Sequence, residues 1–333
     1  MEFCKRSSLG RIQNHMKSIR SFALLVCLLL ALAVPAQGEA NTVDQASQPP
    51  ITDLYITRLR SRSYGGDGIK IEQTLAVTKD FTRTLISYTS DGLKQYGFMN
   101  MPKGTAAGAG PFPVVLVLHG YVNPRAYRTT TYTARDADAL ARAGFLVIHP
   151  DYRGHGRSED GPNLFRTGYA IDVLNLIEQV KRLPQAKPNA LGIWGHSMGG
   201  GISLRVLTVN PNIKAAVLYG AMNADEALNI ERIKTVFRPG TSVPEDDVPK
   251  SEWANISPVN ALANIATPIQ IHHGSRDADV PAAWSDDLST KLKSLNKDVT
   301  YFKYTGQGHI LQGSSYATFI TRIVAFYKEK LTS

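Results

Sequence analysis

The sequence predicts an α/β fold: a mostly parallel central sheet with helices on both faces and a lid-like insertion. Three observations carry this. From Pro113 onward, strand-like runs alternate with helical patterns, the rhythm of a parallel sheet. The run Val114–Leu118 is apolar at every position, as a strand buried on both faces must be. One strand-to-helix junction carries Gly195-His196-Ser197-Met198-Gly199, a pattern with a specific chemical use.

The chain has 333 residues, 43% apolar and 20% charged, a globular balance. At its start, Lys17 and Arg20 precede an apolar run from Phe22 to Val34, and small residues follow. This predicts a signal peptide over residues 1–36, cut after Val34-Pro35-Ala36 or, alternatively, after Gly38-Glu39-Ala40. The run is short of the roughly 20 residues a bilayer span requires, so no stable membrane anchor is expected after cleavage. The expected location is therefore exported, periplasmic or extracellular. Cys4 and Cys27 both lie in this segment, so a cleaved chain has no disulfide, thiolate metal site or cysteine nucleophile. The net charge is +9; cleavage removes five basic residues and one acidic one, leaving +5. The remaining basic residues are scattered, without an aromatic-laced cluster, so no nucleic-acid partner is expected.

Residues 37–50 are polar, end in Pro49-Pro50 and read as a flexible linker. The domain proper is expected over 51–333, with N-terminal strands in 51–112. The runs Ile69–Val77, Thr82–Thr89 and Lys94–Met101 suit strands, and Asp91-Gly92 suits a hairpin turn. Then come strand Val114–Leu118, a helix over Thr129–Arg142 ended by Gly144, and strand Phe145–His149. Helix Tyr169–Leu183 carries apolar residues at helical spacing. It leads to strand Leu191–Trp194, helix Met198–Val209 and strand Lys214–Tyr219. Residues 223–266, with four prolines, break the rhythm and read as the lid-like insertion. Strand Pro268–His272, a helix opened by Pro281, strand Val299–Tyr304 and helix Tyr316–Lys330 complete the chain.

Gly195–Gly199 matches the G-x-S-x-G elbow, in which a sharp turn exposes a serine at a helix N-terminus. Bulky neighbours would clash there, and the free N–H groups favour developing negative charge. A serine hydroxyl is a weak nucleophile and requires a base. His309, after the last strand in Gly306-Gln307-Gly308-His309, is the candidate for Ser197. The orienting acid lies in His273-Gly274-Ser275-Arg276-Asp277-Ala278-Asp279-Val280-Pro281. Position alone leaves Asp277 and Asp279 open, but Asp279 sits better to cap the helix that Pro281 opens, so Asp277 is favoured for chemistry. The oxyanion hole is expected from the backbone N–H groups of Met198 and Tyr121, with His119 bracing the loop. His272 and His273 lack the spacing of a metal site, and no phosphate-binding loop is present; neither metal nor cofactor is expected.

From Pro113 the chain resembles the α/β-hydrolases of the prolyl oligopeptidase catalytic-domain type. The resemblance rests on His119-Gly120, the run Asp151–Ser158, the elbow at Ser197, Ser257-Pro258, the H-G-x-x-D-x-x-V-P run from His273 to Pro281, and Gly308-His309. It implies an α/β-hydrolase fold and puts the family's acid on Asp277. Gly195–Gly201 also looks like the elbow of cutinases and polyester hydrolases. Family peptidases carry a β-propeller that filters peptides; 333 residues leave no length for one, so small esters are expected as substrates alongside short peptides. The function expected is an exported serine hydrolase acting through an acyl-enzyme. The alternatives are a carboxylesterase without peptidase activity and, from another class, a non-catalytic binding protein on the same fold.

Overall fold

A computed structural model describes residues 48–103 and 110–332. The expected signal segment and nearly all of the linker lie outside the described residues. Among those described, no helix is long and apolar enough to cross a membrane.

Ahead of the expected strands, residues Ile51–Leu54 make a 3-10 turn and Ile56–Ser61 a short helix, α1. The 51–112 segment is therefore not all strand. Ile56 and Leu59 are buried among residues of the later helices, a tertiary packing that their own sequence does not announce. Then come β1 (Lys70–Val77), β2 (Phe81–Ser90) and β3 (Leu93–Pro102). Asp91 and Gly92 both adopt positive φ between β2 and β3, which matches the twist of a tight hairpin. The edge strand β1 is mostly exposed and bulged at two places, a common protection of a sheet edge.

The parallel part contains β4 (Phe112–Leu118), α2 (Ala134–Arg142), β5 (Leu146–Pro150), α3 (Thr167–Val180), β6 (Ala186–His196), α4 (Met198–Val209) and β7 (Ala215–Tyr219). After α5 (Glu226–Arg232) and α6 (Trp253–Ile256) follow β8 (Ile269–Gly274), α7 (Ala282–Ser294), β9 (Val299–Tyr304) and α8 (Gly313–Thr332). The helix expected from Thr129 starts at Ala134. Tyr132 has φ +61, which stops helical continuation upstream, and Thr129 instead bonds Asp151.

The nine strands of the described residues form one sheet in the order β1-β2-β3-β5-β4-β6-β7-β8-β9. The first three strands are antiparallel and join β5; from β5 to β9 all pairings are parallel. The chain steps from β4 to β5 on one side, then crosses back to β6 on the other. The C-terminal ends of β4 and β6 therefore flank a switch point, where crevices form in open parallel sheets.

The pleat sorts the core by parity. Leu116, Leu118 and Ile148 face α3 and α4, while Val115, Val117, Val147 and Trp194 face α2 and α8. The 223–266 segment packs a small cluster of its own, with Ile230, Val243, Trp253 and Ile256 around Phe165 and Leu54. A buried ion network ties it down: Arg205 reaches Glu226 at 2.5 Å and the Ile256 carbonyl at 2.7 Å, and Arg166 also pairs with Glu226.

Candidate active site

β6 ends at His196 and α4 begins at Met198, so Ser197 is the whole of the turn. Its backbone sits at φ 57°, ψ −119°, an uncommon place for a non-glycine residue. Surrounding bonds hold it there. Its N–H donates to the Tyr219 carbonyl at 2.9 Å, and its carbonyl accepts from Gly200 (3.0 Å), Gly201 (3.3 Å) and Met222 (3.0 Å). At Gly199 a Cβ would lie 2.1 Å from the Leu118 carbonyl oxygen, so only glycine lets α4 approach β4 this closely.

Two loops lie at this end of the sheet. The first follows β4. A Cβ on Gly120 would lie 3.0 Å from the Ser197 Cβ, so this loop passes directly beside the nucleophile candidate. His119 is fully buried, with Nδ1 2.7 Å from the Gly120 carbonyl and its ring stacked on Tyr127. Tyr152 donates to the His119 carbonyl at 3.1 Å, so the base of the loop is held by buried aromatic groups. Tyr121 is 51% exposed at the loop's outer edge. Met198 opens α4, and its N–H belongs to the first turn, where no intrahelical acceptor exists.

The second loop carries His309. Its Nδ1 lies 2.7 Å from Asp277 Oδ2. A carboxylate only accepts, so Nδ1 holds the proton and Nε2 remains a base. The Arg276 N–H donates to the Gln307 carbonyl at 2.8 Å, and the Gly306 N–H to Ser275 Oγ at 2.8 Å, which ties the acid loop to the histidine loop. A Cβ on Gly220, at the end of β7, would lie 3.3 Å from His309 Nδ1 and 3.4 Å from Asp277 Oδ2. The pair thus sits beside β7, next to the strand that delivers Ser197.

Asp277 is fully enclosed. Oδ1 accepts the N–H groups of Asp279 (2.9 Å) and Val280 (2.8 Å). Oδ2 also lies 3.0 Å from His273 Nε2, whose proton is shared with the Val280 carbonyl at 3.0 Å. Burial alone would push this carboxyl up, but the hydrogen bonds from His273 and His309 outweigh it and hold Asp277 well below the usual carboxylate range. Asp279 is exposed and does not cap the helix after Pro281 as expected. Pro281 itself is the cap residue of α7, without a side-chain bond, and Asp277 takes the N–H groups of the intervening turn.

Two histidines contribute what their sequence positions do not declare. His273 Nδ1 lies 2.7 Å from the Ser285 hydroxyl, which fixes the ring that faces Asp277. His196 Nε2 lies 3.1 Å from the His309 carbonyl and must donate to it. Its Nδ1 therefore accepts from the Tyr132 hydroxyl at 2.9 Å. Burial and the neighbouring His309 push His196 down to about 3, so it stays neutral. His272 is occupied with Tyr304 (3.0 Å) and Gln270 (3.1 Å). Ligand atoms of Asp277, Asp279 and His309 lie within 4.8 Å of one another, but Asp277 and His309 are already bonded to each other.

Known proteins resemble this chain. The family described as "alpha/beta hydrolase fold" matches residues 113–241. The uncharacterized peptidase YuxL of Bacillus subtilis (strain 168) is 26% identical over 251 residues, 72% of this chain and 36% of that protein. The lysophosphatidylserine lipase ABHD12 of Danio rerio is 29% identical over 204 residues, 55% of this chain and 49% of that one. The chain thus spans about a third and about half of the length of these two relatives. Among solved structures, acetyl xylan esterase 1 of a Thermoanaerobacterium species superposes with a TM-score of 0.61 at 18% identity, covering 84% of this chain and 95% of that one. The sheet order and the matched family model give the chain the α/β-hydrolase fold, and it is similar to peptidases and esterases that share it.

Proposed function

We propose that this chain is an exported serine hydrolase that cleaves small esters or short peptide amides through a Ser197-His309-Asp277 triad. The observation that carries the reading is the 2.7 Å His309–Asp277 pair at the end of β7, on the strand neighbouring the one that delivers a serine held at positive φ on a helix N-terminus. Peptidase, lipase and esterase names among the relatives support hydrolysis at an acyl carbon and leave ester and amide equally open.

In this reading Ser197 Oγ attacks the substrate carbonyl while His309 Nε2 takes its proton. The N–H groups of Met198 and Tyr121 hold the oxyanion. Asp277 stabilises the imidazolium without itself becoming protonated. The imidazolium then returns the proton to the departing alcohol or amine, leaving an acyl-serine. Water, deprotonated by His309, attacks that ester; collapse expels Ser197 and releases the acid. Export follows from the expected signal segment and is tested by N-terminal sequencing of the secreted or periplasmic protein.

The catalytic test presents one set of acyl groups both as p-nitrophenyl esters and as anilides, with Ser197→Ala as control. Turnover and fluorophosphonate labelling both vanish in that variant. Full labelling of Ser197→Ala would remove Ser197 as nucleophile, and wild-type protein inert to the probe and to every substrate would favour a binding protein.

A further inference from the structure

We propose that residues 232–238 form a strap across the active centre that selects substrates with an apolar acyl chain. This rests on the reading of Ser197 as nucleophile. The loop after β4 and the acid loop after β8 lie on strands three places apart, with β6 and β7 between. At about 4.8 Å per strand that gap is roughly 14 Å, and Ser197 and Gly220 sit at the strand ends within it. Segment 232–238 is anchored on both sides of the gap. Arg232, at its start, donates to the Asp279 carbonyl at 2.9 Å and to the Ala278 carbonyl. Arg238, at its end, donates to the Tyr121 hydroxyl at 3.1 Å.

Between the anchors, Ile233–Phe237 form a π turn, closed by the Arg238 N–H on the Ile233 carbonyl at 2.7 Å. Such turns occur mostly as single insertions and often at functional sites. No residue of this turn is fully buried: Ile233 packs against the core at its start, and Thr235–Phe237 project from it. Its two faces differ. Lys234 pairs with Asp246 at 2.8 Å and lines a surface groove with Glu231, Thr235 and Trp253. In a turn closed by an i→i+5 bond, Val236 and Phe237 come back to the side of Arg232, whose guanidinium reaches the acid loop. Both are large apolar residues left over two-fifths exposed, at 42% and 43%. Tyr121, from the loop after β4, and Ile310, beside His309, are likewise exposed, at 51% and 44%. Exposed apolar groups from three separate segments thus lie at the same end of the sheet, while both strap arginines are engaged in anchoring. An exposed apolar rim of this kind marks a binding cleft, and its chemistry suits a hydrocarbon acyl chain rather than an anion.

The test compares kcat/KM for p-nitrophenyl octanoate and acetate, with active sites counted by fluorophosphonate labelling. Wild type favours octanoate. Phe237→Ala lowers the octanoate-to-acetate ratio about ten-fold or more, and Phe237→Leu restores most of it. Lys234→Ala, on the outer face, leaves the ratio unchanged. An unchanged ratio in Phe237→Ala, or an equal fall in Lys234→Ala, overturns the proposal. Absence of wild-type labelling would overturn the nucleophile reading and the strap with it.

Discussion

Replacing Asp277 by asparagine separates an orienting acid from a merely structural one. The carboxylate faces four N–H groups: His309 and His273 at Oδ2, and the Asp279 and Val280 amides at Oδ1. An asparagine has one accepting oxygen. If its oxygen keeps the two backbone amides, its NH2 group faces His309, which must move its proton to Nε2 and can no longer act as base. If it turns over, the NH2 opposes two backbone donors. Each lost charge-assisted bond is worth about 1.5–3 kcal/mol, and the two imidazole contacts together account for about 3–6 kcal/mol. At about 1.36 kcal/mol per decade this gives a fall in kcat of roughly 10²–10⁴, in keeping with the ~10⁴ found when a triad aspartate is so replaced. The assay is kcat on p-nitrophenyl butyrate at pH 7.5, with circular dichroism confirming the fold. Asp279→Asn, whose side chain is exposed, should stay within about two-fold of wild type. Retention of a tenth of wild-type kcat by Asp277→Asn, or an equal collapse in Asp279→Asn, refutes the assignment.

Gly199→Ala forces α4 away from β4, because its Cβ would lie 2.1 Å from the Leu118 oxygen. A cost at the upper end of the roughly 1–3 kcal/mol typical of overpacking is expected, read as a lower melting temperature together with lost activity. Arg153 chelates the buried Asp172 at 2.7 and 2.9 Å, so Arg153→Ala should cost about 3–5 kcal/mol in denaturant unfolding. The paired change Arg153→Met with Asp172→Leu should recover most of that, and failure to do so would show a role beyond the pair. Stability should fall on acidification. Burial pushes His149, His196 and His272 down to about 3 and His119 well below its ordinary value. The unfolded chain takes these protons first, so their contribution is full above pH ~6.5 and is lost as pH drops towards 3. Burial raises Asp136 and Asp151 to about 6, which favours folding at low pH and is lost as pH rises through 6. Burial likewise pushes His155 down and Asp172 up, so five histidines stand against three carboxyls, and melting temperatures at pH 7.5, 6 and 5 should decrease in that order; an increase would contradict the neutral burial of the rings.

What could be read from the sequence was whatever depends on local pattern. The all-apolar run of β4 declares its double burial, and the elbow at Ser197 joins a strand and a helix that separate patterns already indicate. The choice between Asp277 and Asp279 could be argued only from position and an expected cap. Asp279 caps nothing, and what distinguishes Asp277 is an enclosing set of donors from His309, His273 and the following turn. His273 offered one usable signal, its fixed place four residues before the acid, yet its contact requires knowing that β8 turns it inward and that Ser285 meets its other nitrogen. Residues 51–61 read as nothing in particular because their helix forms by packing on α4, and the first turn of α2 was lost to a left-handed Tyr132. The strap was invisible for the same reason: its meaning lies in two arginines that reach opposite loops.

His196 shows why neutral burial matters beside such a site. Its ring centroid is 4.6 Å from that of His309. In the proposed reaction His309 becomes an imidazolium at the moment the oxyanion forms. A second cation at that distance would oppose the step by about 4 kcal/mol at an effective dielectric of about 20. Burial keeps His196 uncharged, so this opposition never arises. The neutral ring still has one N–H, and it spends that proton on the His309 carbonyl while Tyr132 donates to the other nitrogen. The same residue thus fixes the backbone of the base without charging its surroundings. A lysine or arginine could make the first bond only by adding the unwanted charge, and an apolar residue could not make it at all. Histidine, held in one tautomer, meets both conditions at the position preceding the proposed nucleophile.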